Sequence, residues 1–405
     1  MNKHQNFALS ALLLAVLFVL AGCSKSEDYT KVIPRNANVV AKIAVKDIAR
    51  RIDIDNEYVT NVFMALDIKQ SVYAFQLGEG GIGITAAVGN MDKLTDAFED
   101  LHHEGYCSKP KERDGLMWAT LLDEIDMAYN DNTLLLFGSI GNDALPAKKV
   151  IEELMAQEAD LSFCTTDDYT RMAGYDDDDI VIYGNLAALP AEQEENYRMF
   201  LPPGVNVKDV RMIGELDLDD DEIELQVRFY GGTDEVQDLL DQSRGAIRRI
   251  SDAGLCQRYA AKMAMIYAGI HGDEFVDLVK SSHRLRSLLS LATLAYDTES
   301  MLRDTDGDVV VLLDSEHSVP KPSREGDVLV FGSECNDMSE MTNRIYTDDL
   351  DDYCMYAVVN LQETKAKYLL MLLASAPDYL AGFKDSRYLV LESETGLDFE
   401  IKLVK

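Results

Sequence analysis

The chain has 405 residues, 47% of them hydrophobic, with 38 Lys+Arg against 72 Asp+Glu for a formal charge of −34. Length and apolar content exclude a disordered or fibrous chain and allow two or three domains with real cores. The charge argues against nucleic acid and against direct binding of anionic lipid headgroups, because each phosphate contact would be made against the repulsion of the whole surface.

The first 22 residues read as an address rather than as fold. Lys3 and His4 form a short positive region, and residues 7–21 are an apolar run broken only by Ser10, below the roughly 18 residues that span a bilayer. Leu20-Ala21-Gly22-Cys23 follows, with small residues in the two positions before a cysteine. This resembles the lipobox of bacterial lipoprotein signals. The resemblance implies cleavage after Gly22, diacylation of the Cys23 thiol and acylation of its new amino group, and two or three acyl chains anchor stably where one is marginal. Residues 23–30 are then expected to form a tether, reaching at most about 25 Å from Ser24 onward. Glu27-Asp28 reads either as an acidic surface-export signal or as plain polar tether. No Asp directly follows Cys23, so retention at the inner membrane is not indicated.

Residues 39–45 read as a strand, 58–66 as a helix, and 72–75 with 84–88 as a hairpin. Gly78-Glu79-Gly80-Gly81-Ile82-Gly83 fits the letters of the GxGxxG fingerprint. That fingerprint needs a strand before it and a helix after it, so that a pyrophosphate meets a helix N-terminus; these glycines lie between two strands, as in a hairpin turn. Residues 91–104 read as a helix ending in His102-His103-Glu104, with Gly105 as its C-terminal stop. Strands at 117–122 and 133–137 flank the turn signal Tyr129-Asn130-Asp131-Asn132, and 147–157 is another helix. An N-terminal α+β domain is expected over 31–160, followed by a linker rich in Asp and Thr.

Tyr29-Thr30-Lys31-Val32-Ile33-Pro34-Arg35-Asn36-Ala37 after the lipobox, with Trp118 followed by Ala128-Tyr129-Asn130-Asp131 and Leu134-Leu135, resembles an uncharacterised family of lipoproteins of Gram-negative anaerobes, known as a domain of unknown function. The resemblance is strongest over the first 160 residues. It implies an envelope lipoprotein and carries no catalytic residue over to this chain.

Residues 165–405 read as a C-terminal α+β region with an internal repeat. Residues 180–186 and 355–361 are β-rich runs ending in Asn-Leu; each leads into a helix-like stretch, 191–200 or 364–374, and then a pair of strands. The last strands, Ile223-Glu224-Leu225-Gln226-Val227-Arg228-Phe229 and Leu397-Asp398-Phe399-Glu400-Ile401-Lys402-Leu403, share one pattern: apolar, acidic, apolar, polar, apolar, basic, apolar. Period-two alternation predicts one buried face and one wet face. With a degenerate copy at 39–88, the expected fold is α+β, built from repeated β-α-β-β units forming mostly antiparallel sheets with helices packed on one face. Between the two later copies, 233–302 reads as a helical insert, with a strand resuming at 309–313. The stretch 240–290 carries eight Lys/Arg against five Asp/Glu, whereas 165–235 carries five against nineteen, so the insert is read as packing against acidic neighbours.

Chemistry-bearing motifs fail in context. Asp304-Thr305-Asp306-Gly307-Asp308 has carboxylates at positions 1, 3 and 5 of a calcium loop, but Val309 and Ser315 stand where Gly and Glu are needed. The acidic runs at 176–179, 219–222 and 348–352 read as solvated turns. His271-Gly272-Asp273-Glu274 is not HExxH, Gly138-Ser139-Ile140-Gly141 is not a nucleophile elbow, and His283 and His317 fit no ligand pattern. Beyond Cys23, the cysteines Cys107, Cys164, Cys256, Cys335 and Cys354 are odd in number and lack a CxxC, so most read as small buried hydrophobes; a bridge from Cys335 to Cys354 stays open. Cys23, for lipid attachment, is the one site residue assigned; no catalytic, cofactor-binding or metal residue is.

The expectation is a lipid-anchored outer-membrane protein facing the periplasm or the cell surface. It would bind, adhere or scaffold without chemistry, held to the membrane through the lipid on Cys23, with an envelope protein or glycan as partner and no nucleic acid. One alternative is a hydrolase of envelope polymers or glycans using dispersed carboxylates. Against it stands the single tryptophan, Trp118, because sugar clefts stack on several aromatics; nineteen tyrosines keep it open. A periplasmic chaperone or assembly factor is the other.

Overall fold

The structure, a computed structural model, describes residues 27–44, 57–78, 80–139, 145–175, 180–188, 201–202, 204–218, 222–281, 283–313, 321–332, 349–362 and 386–404. Cys23 and the signal segment lie outside the described residues, as do the acidic runs at 176–179 and 219–221, the helix-like stretches at 191–200 and 364–374, His317 and Cys335. The chain divides into two compact units, 1–188 and 189–405.

Unit 1 opens on a 3-10 helix, Glu27–Val32. It continues through β1 (Val39–Ile43), α1 (Glu57–Phe63), β2 (Val72–Leu77), β3 (Gly81–Ala87), α2 (Met91–His103), β4 (Lys111–Arg113), β5 (Leu116–Leu121), β6 (Ile125–Tyr129), β7 (Thr133–Ser139), α3 (Ala147–Ala156), α4 (Asp167–Ala173) and β8 (Ile180–Asn185). The eight strands pair antiparallel in the order β8-β1-β2-β3-β7-β6-β5-β4. Helix α2 forms where its caps say it should. Asn90 accepts the Lys93 N–H at 2.9 Å, and Gly105 takes the left-handed conformation just past the helix, with φ +81°.

Helices cover both faces of this sheet rather than the single face expected. Ile43, Val72, Ile84, Met127, Tyr129 and Leu134 pack with Phe63, Leu94 and Phe98 of α1 and α2. On the other face α3 lies over β6 and β7, and the Glu27–Val32 helix over β3, where the Thr85 hydroxyl donates to the Tyr29 carbonyl at 3.0 Å. The cause is local. β3 and β7 are buried at residues of both parities, as in strands whose two faces are both covered.

Two boundaries differ from expectation. Tyr29 is only 3% exposed and its hydroxyl donates to the Ser71 carbonyl at 2.8 Å, so the fold begins inside the stretch expected to be tether. β8 pairs with β1 from Val39↔Gly184 to Ile43↔Ile180, so unit 1 runs on to Ala188, past residue 160, and takes 165–188 from the C-terminal region.

Unit 2 comprises β9 (Val210–Leu218), β10 (Glu222–Gly231), α5 (Asp234–Ser243), β11 (Ile247–Arg248), α6 (Leu255–Arg258), β12 (Ala264–His271), α7 (Gly272–Ser281), α8 (His283–Tyr296), α9 (Thr298–Arg303), β13 (Asp306–Leu313), β14 (Pro322–Glu325), β15 (Val328–Phe331), β16 (Met355–Asn360), β17 (Tyr388–Ser393) and β18 (Asp398–Val404). Its strand order is β9-β10-β18-β17-β16-β12-β13-β15-β14, antiparallel except for the parallel pair β13–β15, with β11 pairing the end of β12. Helices α7 to α9 pack on one face around Ile270, Val309, Leu329 and Phe331. The opposite face is capped by Ile250, Leu255, Tyr259, Ala261 and Leu350 over Tyr267, Val310, Val330 and Tyr356.

The insert at 233–302 is not wholly helical. Ala264–His271 is a central strand, flanked by β13 and β16. Its continuous apolar run is buried on both sides, and periodicity does not separate such a run from a buried helix. The alternating strands β10 and β18 also differ from expectation: nearly every residue of both is half-buried, rather than split into one dry and one wet face.

Gly83 gives a test of unit 1. It is the register partner of Phe75, and the Phe75 ring occupies the space a side chain at Gly83 would fill. Gly83→Ala is expected to lose about 1–3 kcal/mol in urea unfolding through overpacking, and Phe75→Leu in the same chain to restore part of it. An unchanged midpoint would contradict this packing.

Candidate functional site

In unit 2 the residues Glu215, Gln226, Glu400, Glu392, Tyr356, Tyr267 and Val310 are register partners in one row across the sheet, so they share one face. Along that row the surface passes from the core under Leu255 and Tyr259 to a shelf of charged and amide side chains. At the transition stands Tyr353, its ring 6.0 Å from that of Tyr356. Beside it opens a hollow of about 120 Å³ whose lining includes Gln226, Arg228, Tyr353, Glu392, Glu394 and Glu400.

Strand pairing explains this concentration of charge. β10 and β18 carry the same acidic, polar, basic pattern and run antiparallel, so acid meets base at both ends: Glu224 faces Lys402 and Arg228 faces Asp398. Lys402 is shared. Its ammonium donates to Glu392 Oε2 at 2.9 Å and also pairs with Glu400. The Glu392 side chain is only 8% exposed and that of Lys402 24%. Burial opposes the charge on Lys402, but the hydrogen bonds to Glu400 and Glu392 outweigh it and hold the ammonium well above the usual lysine range. Gln226 donates to Glu224 at 2.8 Å, and Arg228 lies 4.0 Å from Glu215. Asp398 is spent on the β17–β18 turn, accepting the Thr395 N–H at 2.9 Å and its hydroxyl at 2.8 Å.

Two groups here titrate unusually. Burial, then Glu392, pushes Tyr353 up to about 12. Burial also raises Glu222; Lys402 opposes this, and Glu224, Glu392 and Glu400 add to it. The arrangement holds polar partners in fixed positions. Enclosed ligand pockets typically run to about 300–1,000 Å³, so a hollow this small has room for no more than one projecting group of a larger molecule.

The residues weighed from the sequence lie elsewhere. Gly78 and Gly81 bracket the β2–β3 hairpin, the context read for them. Asp308 is buried and accepts from the Ser251 N–H at 2.9 Å and its hydroxyl at 2.8 Å, while Asp306 contacts His271 Nδ1 at 2.7 Å; the three carboxylates of that stretch are not gathered on one point. No group of three or more His, Cys, Asp or Glu is placed to hold a metal among the described residues. Trp118 lies beneath the Arg113 guanidinium, 5.6 Å from the ring centroid, and Arg113 pairs with Glu152 of α3. The ring is therefore capped. Cys107, Cys164, Cys256 and Cys354 carry free thiols, and burial raises Cys107 and Cys256 to about 11. His102 Nδ1 meets the Cys107 carbonyl at 2.9 Å. No described helix is long and apolar enough to cross a membrane.

Lys402 and Glu222 make the site testable. Lys402→Met leaves Glu392 buried without its partner and is expected to cost about 2 kcal/mol, less than the roughly 3–5 kcal/mol of a fully buried pair because the lysine is partly exposed. Glu392→Gln added to it should recover most of the loss in denaturant unfolding; strict additivity of the two would contradict the pairing. Glu222, with its folded pKa raised, contributes stability when protonated and loses it as pH rises through that folded pKa. Glu222→Gln is therefore expected to raise the Tm at pH 7 by more than at pH 4, and an equal shift at both would contradict the burial argument.

Residues 62–333 match the family described as domain of unknown function (DUF4836). The match includes Trp118 and the Ala128 to Leu135 motif and extends well beyond residue 160. No curated protein matches the chain. Crystal forms I and III of TP0453 are similar to it at a TM-score of 0.34, with 11% and 12% identity, each over 56% of this chain and 91% of that one.

Proposed function

We propose, on the premise that the chain belongs to the DUF4836 family, that it is a lipid-anchored protein of the outer membrane that binds a partner without chemistry. The anchor is the acylated Cys23 of the lipobox. The binding element is the hollow beside Tyr353, which takes one projecting polar group of an envelope protein or glycan. A single observation carries this reading: of the carboxylates lining the hollow, Glu392 and Glu400 are committed to Lys402 and Asp398 to its own turn. A general acid would instead need a carboxyl kept neutral near the working pH.

One observation favours the hydrolase alternative, namely the raised Glu222 close to that cluster. Loss of product release from envelope glycan in Glu222→Gln would support it. We also read 39–88 and 355–403 as copies of one β-α-β-β element, while the copy expected over 180–229 is divided, with β8 pairing with β1 of unit 1 and β9 with β10 in unit 2. The consecutive antiparallel runs β1-β2-β3 and β16-β17-β18 support that reading.

A photo-crosslinking side chain at Gln226 of the lipidated protein, activated in its native membrane, tests the binding role. A reproducible adduct that disappears in Arg228→Glu is expected. No reproducible adduct, or one indifferent to Arg228→Glu, would contradict it.

A further inference from the structure

The corner of unit 1 at which the N-terminal segment enters has features that the hollow leaves unused. Tyr29 is locked in the core, six residues after Cys23, so an acylated Cys23 holds this corner within about 20 Å of the lipid surface. Leu161 stands there. At 57% it is the most exposed large hydrophobic side chain among the described residues.

Its position is fixed by the entering chain itself. The Leu161 carbonyl accepts the Arg35 N–H at 2.9 Å, and the Ile33 carbonyl accepts the Phe163 N–H at 2.9 Å. Between them the buried Ser162 hydroxyl donates to the Thr30 and Ile33 carbonyls at 3.3 and 3.2 Å. Arg35 reaches the Asp160 carbonyl at 3.1 Å. Lys31 and Arg35 offset part of the charge of Glu27, Asp28, Glu158 and Asp160 around this corner, two bases against four acids, so repulsion from anionic headgroups is weaker here than the charge of the whole chain implies.

We infer that this corner rests on the bilayer that carries the Cys23 acyl chains, with Leu161 entering the interfacial region and Lys31 and Arg35 at headgroup level. The inference depends on the lipid attachment proposed above. An exposed leucine loses its contact with water there at no cost in internal packing, and the six-residue link makes the contact intramolecular. The docked orientation would present a constant side of unit 1 to the membrane.

The test uses the full lipidated chain in vesicles of phosphatidylethanolamine and phosphatidylglycerol, with or without bromine on the acyl chains. Leu161→Trp is compared with Tyr106→Trp, because Tyr106 is exposed beside Cys107 on the opposite face of the unit 1 sheet. Trp118, common to all variants, provides the background. Brominated lipid is expected to remove most of the emission added by Leu161→Trp and to leave that added by Tyr106→Trp unchanged. Flotation of each variant with the vesicles, alongside Cys23→Ala, separates the two claims. If the wild type does not float, the lipid attachment fails and the docking fails with it. If it floats and Cys23→Ala does not, but the Leu161→Trp emission survives bromination, the anchor stands and the docking is overturned.

Discussion

The ammonium of Lys402 is the charge on which the polar half of the unit 2 sheet depends. It sits between two strands, held by Glu392 from β17 and Glu400 from its own strand, at a place where burial works against every ion present. Without it the sheet would keep a row of carboxylates, Glu215, Glu400 and Glu392 among them, repelling one another on one partly covered face. With it, acids and bases are matched across β10 and β18 by an antiparallel register of two strands that share one polarity pattern. The hollow beside Tyr353 follows from this arrangement, because the aromatic and aliphatic cap of the core ends where the matched charges begin.

Unit 1 is organised by a different constraint. Its central strands are apolar on both parities, so both faces need covers. One comes from α1 and α2, the other from α3 and the chain entering at Tyr29. That second cover is tied by aromatic contacts: Tyr29 with Tyr73 at 6.0 Å, Tyr73 with Tyr169 at 6.2 Å, and Phe163 with Tyr183 at 4.9 Å. The N-terminal root, α4 and β8 thereby become one packed layer.

Much of the fold was legible from the residues. The helix ending at His103 carried its cap residues, the turn at Asn130 carried its turn chemistry, and the glycines at 78–83 were flanked by strands. What was hidden depended on partners distant in sequence. Ala264–His271 is apolar without a usable period, so its identity as a central strand follows from β13 and β16 lying on either side. Ile180–Asn185 belongs with β1, a pairing across some 140 positions that no local pattern records. The site was half visible: the alternation at 223–229 and 397–403 was plain, but only the antiparallel register turns two acidic-polar-basic faces into a matched set around Lys402.

We propose that the hollow binds and does not react. The most direct measurement is to load the purified lipidated protein with solubilised envelope glycan and protein fractions, elute what is retained, and weigh it against the input by mass spectrometry. Saturable retention of a component recovered at its input mass is expected. Recovery of fragments that have gained one water at a cleaved bond, formed in proportion to time and lost in Glu222→Gln, would contradict it and establish a hydrolase.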